Sequence, residues 1–339
     1  MSEDHFAWGL VGPGRIAHRF ADAVHRLPAQ RLACVQGRDA ARARAFAGAW
    51  SKDGAVVGWS TDLAALLSDP AIDGIYIATP HAFHAAAIEA ALQAGKPVLC
   101  EKPLVPDAAT AQRLVALARD RGLFLMEAVW TRFLPAYEVV AGWLRGAAIG
   151  PLRAIQSSFC FDTPFDAAAR AFDPQQAGGA LLDIGIYNLS VTRWVLQQAL
   201  GAVDEAPAMH AHVLRGPTGV DHRLSVMLGF AGGVASQFVC GFDGAADNGL
   251  RILGQHGHVA LPDTFWEARR ALLCRTGEAP VVVERPFGIN GFEYEIAEAV
   301  RCIRAGLAES PLMPHAETIA TLRWMDALRA QIGLRYPFE

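Results

Sequence analysis

The first 130 residues alternate short, almost wholly apolar runs with longer alanine-rich stretches whose apolar positions recur every three or four residues. The runs at 7–11, 32–36, 74–78, 97–100 and 123–126 read as strands, and the stretches at 15–26, 40–50, 82–94 and 108–121 as helices. Strands apolar on both faces need cover on both faces, and intervening helices supply it. This part therefore predicts a doubly wound parallel sheet with right-handed crossovers. After Trp130 the pattern changes. Segments 152–161, 210–214, 223–228, 234–240 and 250–253 are strand-like, and apolar and polar residues alternate most clearly within 225–228 and 236–240. Few helices separate them, so hairpins and a large, open, predominantly antiparallel sheet are expected. Helices are expected at 179–200, 291–305 and 316–332. The fold class is thus α/β, with a Rossmann domain at 1–128 and an α+β substrate-binding and dimerisation domain at 129–339. The change of pattern puts the boundary near 126–134.

Composition narrows the partners. The 339 residues are 52% hydrophobic and 19% charged, with a net charge of −4 and no long run of one sign, which argues against nucleic acid or an anionic membrane surface. No apolar stretch reaches the roughly 18 residues that span a bilayer, and the short acidic start at 1–6 does not read as a signal peptide. Cys34, Cys100, Cys160, Cys240, Cys274 and Cys302 form no CxxC pair and read as thiols in a reducing, cytoplasmic setting. His210 with His212, and His256 with His258, are i,i+2 pairs read on strands. With no carboxylate or cysteine nearby to complete a ligand set, no metal is expected.

Gly12-Pro13-Gly14-Arg15-Ile16-Ala17 follows the first strand and opens the first helix. Gly12 permits a tight turn, Gly14 leaves room for a pyrophosphate and Ala17 lets helix and strand pack closely. The phosphates would rest on the free N–H groups at the helix start. The second strand ends in Gln36-Gly37-Arg38, with Arg42 one turn on, where an NAD enzyme usually places an acid. Two guanidinium groups there suit a 2′-phosphate, so NADP is the expected cofactor, with NAD possible; the plain alternative is solvated helix charge. Asp39 reads as the N-cap of the next helix.

Thr79-Pro80-His81-Ala82-Phe83-His84 and Glu101-Lys102-Pro103, together with these glycines, resemble the Gfo/Idh/MocA oxidoreductases. Glu127-Ala128-Val129-Trp130-Thr131-Arg132-Phe133 and Gly178-Gly179-Ala180-Leu181-Leu182-Asp183-Ile184-Gly185-Ile186-Tyr187 resemble the dimeric dihydrodiol dehydrogenase branch, which includes NADP-dependent D-xylose dehydrogenases. The tail agrees at Tyr294-Glu295, Glu309-Ser310-Pro311, Gly333 and Tyr336-Pro337.

The resemblance implies that Lys102 lies beside nicotinamide and substrate, with Glu101, Thr79, Pro80, His81 and His84 in the cofactor crevice. It also implies that Arg38 and Arg42 approach the 2′-phosphate, and that the protein pairs with a second copy through the open sheet. The chain departs from the branch at Gly37, where a small hydroxyl residue is common and would offer one more phosphate hydrogen bond. Asp183 and Tyr187 are four apart on the expected helix and share a face. Tyr187 would exchange the hydroxyl proton with Lys102 stabilising the alkoxide, or Lys102 would carry the proton while Tyr187 positions substrate.

Trp130 and Arg132 would form a wall for a ring or sugar face. The plain alternatives are a helix brace for Asp183, a core position for Tyr187 or Trp130, a turn lysine at 102 and a simple helix start at His81 and His84. The expected function is hydride transfer between NADP and a hydroxyl-bearing carbon of a sugar or cyclic trans-diol. A non-catalytic dinucleotide- or sugar-binding regulator is the competing reading, and would be expected to lack Lys102 or Tyr187.

Overall fold

The computed structural model describes residues 5–52, 54–201, 203 and 206–339; residues 1–4 of the acidic start lie outside them. In chain order the elements are β1 (Phe6–Val11), α1 (Arg15–Arg26), β2 (Gln30–Gln36), α2 (Ala40–Trp50), β3 (Gly58–Ser60), α3 (Leu63–Ser68), β4 (Gly74–Ile77), α4 (His84–Gln93), β5 (Val98–Glu101), α5 (Ala108–Asp120) and β6 (Leu125–Ala128). There follow α6 (Pro135–Arg145), β7 (Leu152–Cys160), α7 (Ile186–Leu200), β8 (Ala208–Arg215), β9 (Asp221–Gly229), β10 (Ala235–Gly241), β11 (Leu250–Gly254), β12 (Gly257–Leu261), β13 (Arg270–Arg275), β14 (Val281–Glu284), α8 (Phe292–Arg304) and α9 (His315–Ile332). Two compact units result, Met1–Ala128 with Gly288–Ile319, and Val129–Phe287 with Ala320–Glu339.

The first unit holds a six-stranded, all-parallel sheet in the order β3-β2-β1-β4-β5-β6. β1, β4, β5 and β6 are buried at every position, which is why their sequences are mostly apolar without alternation, with Glu101 closing β5 and Glu127 inside β6 as buried exceptions. β3 and α3, three and six residues long, are too short for periodicity to reveal. Residues 288–319, which a single cut near 128 leaves with the second half, belong to this unit because α8 packs on α1. The loop ahead of α8 is locked to α1 through Asn290: its carbonyl accepts from Arg19 Nη2 at 2.5 Å, and its amide donates to Arg19 O at 2.9 Å and Asp22 Oδ2 at 2.8 Å.

The second unit holds an eight-stranded mixed sheet, β14-β13-β12-β11-β7-β10-β9-β8, antiparallel except where β10 runs parallel to β7. Its inner face is covered by α6, α7 and the segment before α7. Register places Phe238 between Val226 and Ser157, so these residues share that inner row. Two polar pairs lock α7 to the sheet: Asn188 Nδ2 donates to Ser157 Oγ at 2.8 Å, and Thr192 Oγ1 lies 2.9 Å from Ser236 Oγ. α6, missed in the sequence pattern, starts with Pro135, a residue suited to a first helical turn, and buries Tyr137, Val140, Ala141 and Leu144. His256 falls in the turn ahead of β12 rather than on a strand.

Ile252 is fully buried on the inner row. Truncation to alanine removes buried methylenes and leaves a cavity, so Ile252→Ala is expected to cost roughly 2–5 kcal/mol in urea unfolding. A loss well under ~1 kcal/mol would show that this face is not close-packed.

Candidate active site

The turn after β1 has two glycines with different physical reasons. Gly12 has φ +94°, and a Cβ there would lie 2.8 Å from Thr79 N and 2.9 Å from Ala78 O, so the protein itself excludes any side chain. At Gly14 a Cβ would meet only Ala78 O at 3.8 Å, an ordinary contact. What Gly14 keeps clear is space outside the protein, directly at the start of α1. No side chain caps that helix, and Arg15 and Ile16 on its first turn are exposed. Uncapped N–H groups behind an open surface fit a dinucleotide pyrophosphate.

Arg38 and Arg42 are both exposed at the end of β2 and the start of α2, and the Arg38 guanidinium lies 4.9 Å from the Phe83 ring centroid. Asp39 is the N-cap of α2, accepting from Arg42 N at 3.0 Å. The glycine at 37 also has a steric cause. A Cβ there would come within 2.8 Å of the Pro13 ring, so proline at 13 and a side chain at 37 exclude each other.

Thr79 and Pro80 follow β4 and are part-exposed, as is Lys102 after β5. His81 and His84 are buried. His84 faces protein carbonyls: Nδ1 lies 2.9 Å from Pro103 O and 3.2 Å from Leu104 O, and Nε2 2.8 Å from Thr79 O. Glu101 accepts from Tyr76 Oη at 2.5 Å inside the core.

In the second unit, residues Leu181–Gly185 form a π-helical turn ahead of α7, a wider winding that often marks a functional stretch. Its start is capped from a distant strand, where Asp221 Oδ2 accepts from Leu181 N at 2.6 Å. The paired glycines make room for this cap. A Cβ at Gly178 would fall 2.7 Å from Arg170 O, and one at Gly179 (φ +121°) would overlap Asp221 Oδ1. Tyr336 Oη donates to Gly178 O at 2.8 Å, which accounts for the tail tyrosine. Asp221 is wholly buried, and desolvation pushes its carboxyl up to about 7, although the Leu181 and Ala180 N–H groups and the Arg215 charge pull downward.

Asp183, on the π turn, pairs with Arg170 at 2.8 Å, its side chain 14% exposed. Tyr187 is buried but for a sliver, and its oxygen accepts from Trp130 Nε1 at 3.1 Å. Trp130 and Tyr187 stand among rings that no motif announced. Phe159 stacks on Trp266 with centroids 3.4 Å apart and lies 5.5 Å from Tyr187, and Phe287 meets Trp130 edge-on at 6.1 Å. Phe159, Trp266, Phe287 and Arg170 escaped the sequence reading because they come from four separated segments. Arg132 is buried, and its guanidinium donates to Ser190 Oγ at 3.2 Å and Ser190 O at 3.4 Å, bracing the turn at Trp130–Phe133 against α7.

A family profile described as "Oxidoreductase family, NAD-binding Rossmann fold" matches residues 6–129, and "GFO/IDH/MocA C-terminal domain" matches 137–260. Among curated relatives, the trans-1,2-dihydrobenzene-1,2-diol dehydrogenases of Mus musculus and Bos taurus are 36% and 34% identical, each match covering 97% of this chain and 98% of the relative. Among solved structures, KijD10, a 3-ketoreductase from Actinomadura kijaniata in complex with NADP and TDP-benzene, superposes with a TM-score of 0.85 at 25% identity, over 96% of this chain and 97% of that one. The aldose-aldose oxidoreductase of Caulobacter crescentus shares the fold, with a TM-score of 0.83 at 23% identity over 97% and 98%.

The raised Asp221 carboxyl sets a pH signature. Below about pH 4 both folded and unfolded forms hold the proton. As pH climbs from there to about 7 the unfolded chain releases it first, so stability falls, by roughly 4 kcal/mol in all. Asp221→Asn removes this component, so its melting temperature relative to wild type should rise between pH 5 and pH 8. Parallel curves would show that Asp221 does not titrate there.

Proposed function

The chain belongs to the Gfo/Idh/MocA oxidoreductase family, and from that premise we propose that it is an NADP-dependent dehydrogenase whose substrate is a sugar or a cyclic trans-diol. The observation that carries the chemistry is the Tyr187 phenol, held by the Trp130 indole N–H within a ring of aromatic side chains. Flat apolar walls with few polar groups suit a ring-shaped polyhydroxylated molecule. The Asp183–Arg170 pair supplies the polar contacts for its hydroxyls.

The turn from Gly12 to Ile16 would hold the pyrophosphate, and Arg38 and Arg42 the 2′-phosphate. When bound, the dinucleotide accepts or supplies the hydride at its nicotinamide ring. In the oxidation direction Tyr187, entering as the phenolate, would take the substrate O–H proton and become the phenol, leaving the carbonyl product. In reduction the phenol returns that proton. The Trp130 N–H stabilises negative charge on the Tyr187 oxygen, and the Lys102 ammonium stabilises it on the substrate oxygen. An exchange of these roles, with Lys102 carrying the proton, gives the same stoichiometry.

A cytoplasmic, homodimeric protein completes the reading. All six cysteines are free thiols, as a reducing compartment keeps them, and no helix among the described residues is long and apolar enough to cross a membrane. The outer face of the eight-stranded sheet forms a hollow of about 910 Å³ lined by Gln156, Ser158, Ser225, Met227, Gln237 and Arg251, with Gln331 of α9 also reaching it. Its outward row is mixed rather than apolar, with Met227 52% exposed. A second copy of this chain is the proposed cover, the two faces meeting around a two-fold axis.

Oxidation of D-xylose, D-glucose and trans-1,2-dihydrobenzene-1,2-diol, followed by absorbance of the reduced cofactor, should proceed on at least one with NADP and more slowly with NAD. No turnover on any of them would remove the dehydrogenase reading. With the substrate found, Tyr187→Phe should slow single-turnover hydride transfer, and Lys102→Met should cost about 2.7–4 kcal/mol of transition-state stabilisation. A near-normal rate in either variant removes that residue from the chemistry. Light scattering at micromolar protein should return the mass of a dimer; monomer alone would overturn the pairing.

A further inference from the structure

Residues 102–107 lie outside helix and strand, yet Pro103, Leu104 and Val105 are buried. A buried irregular segment leaves backbone N–H and C=O groups that need partners. Two side chains from other elements supply them. Glu127, on β6 and paired in register with Cys100 on β5, accepts from Leu104 N at 2.9 Å through Oε1 and from Thr318 Oγ1 at 2.8 Å through Oε2. His84, at the start of α4, reaches the carbonyls of Pro103 and Leu104 with one ring nitrogen and that of Thr79 with the other. Carbonyl oxygens only accept, so a ring nitrogen bonds them only when it carries the hydrogen. With that hydrogen on Nδ1, Leu104 is held at both its N–H and its C=O, two residues from Lys102.

A carboxylate is an expensive way to fill this space. Burying one costs several kcal/mol unless its bonds are good, and an apolar residue of similar volume packs as well at lower cost. What the carboxylate and imidazole add is direction, because each fixes a particular backbone atom. A misplacement of about 1 Å at a reacting group costs on the order of 100-fold in rate. We propose that Glu127 and His84 are positioning residues for Lys102, gripping the turn that follows it and so fixing where its ammonium stands. The inference rests on the dehydrogenase reading for the role of Lys102, while the grip itself is independent of it.

The test compares Glu127→Gln, which keeps an acceptor oxygen for Leu104 N–H, with Glu127→Leu, which removes it. Three quantities are measured on the whole protein: single-turnover hydride transfer with whichever compound of the panel is oxidised, NADPH affinity by fluorescence, and the rate at which pyridoxal 5′-phosphate with borohydride labels Lys102, mapped by peptide mass. Glu127→Leu is expected to transfer hydride at least tenfold more slowly with NADPH affinity within threefold of wild type, and Glu127→Gln to stay within threefold in both. Lys102 should be labelled at least threefold faster in Glu127→Leu than in Glu127→Gln, because a released turn exposes the amine.

Wild-type hydride transfer in Glu127→Leu, or equal labelling of Lys102 in the two variants, would overturn the proposal. So would a loss of NADPH affinity in step with the rate, which would make Glu127 a brace of the nucleotide turn. If Glu127→Leu does not fold, His84→Gln takes the same three measurements at the other end of the grip. A wild-type protein inactive on the whole panel would remove the dehydrogenase reading alone, since the labelling arm needs no substrate and still decides the grip.

Discussion

Backbone that leaves regular structure inside a dry interior has to find polar partners elsewhere, and two irregular turns of this protein depend on that requirement. The π turn bearing Asp183 is capped by Asp221 from the start of β9. The turn after Lys102 is held by Glu127 from β6 and His84 from α4. In each case a side chain from another element bonds to the main chain of the turn, and Glu127 also accepts from the Thr318 hydroxyl. The bonds fix the path of the backbone, and the path fixes where Lys102, Asp183 and Tyr187 begin. Asp221 accepts a stability cost for this, since its charge is buried.

The glycines express the same constraint as steric exclusion. Gly12 is required by the approach of Thr79 N, and the pair at 178–179 by Arg170 O and the Asp221 carboxylate. Gly14 differs, because nothing in the protein crowds it, and the space it keeps faces outward at an uncapped helix start. Pro13 and Gly37 form a matched pair in which the ring of one occupies the place of a side chain on the other. A departure from the branch pattern that looks like a lost phosphate contact in sequence is, in space, matched to a proline in the turn after the neighbouring strand.

Much of the fold was legible because it is written locally. Apolar runs overlap five of the six parallel strands, and the Asp39 cap sits one residue before its helix. The short β3 and α3 carry too few residues for a period to emerge, and α6 was masked by the change of pattern around it. The Asn290 lock on α1 was invisible because it joins residues 271 positions apart. Arg132 and His84, which their motifs place at the site, also bond protein groups that the motifs do not reveal, Ser190 for Arg132 and the carbonyls of Thr79, Pro103 and Leu104 for His84.

By itself the sequence determined the two kinds of sheet, the glycine turn after β1 and the motifs bearing Lys102, Asp183 and Tyr187, because strand period, glycine spacing and motif order are properties of neighbouring residues. Only the tertiary structure decided what those residues touch. The aromatic ring of Phe159, Trp266, Phe287 and Trp130, the Asp221 cap and the Glu127 grip are assembled from segments tens to more than a hundred residues apart. Such contacts arise from packing and from the need to satisfy buried polar groups, and neither leaves a period along the chain.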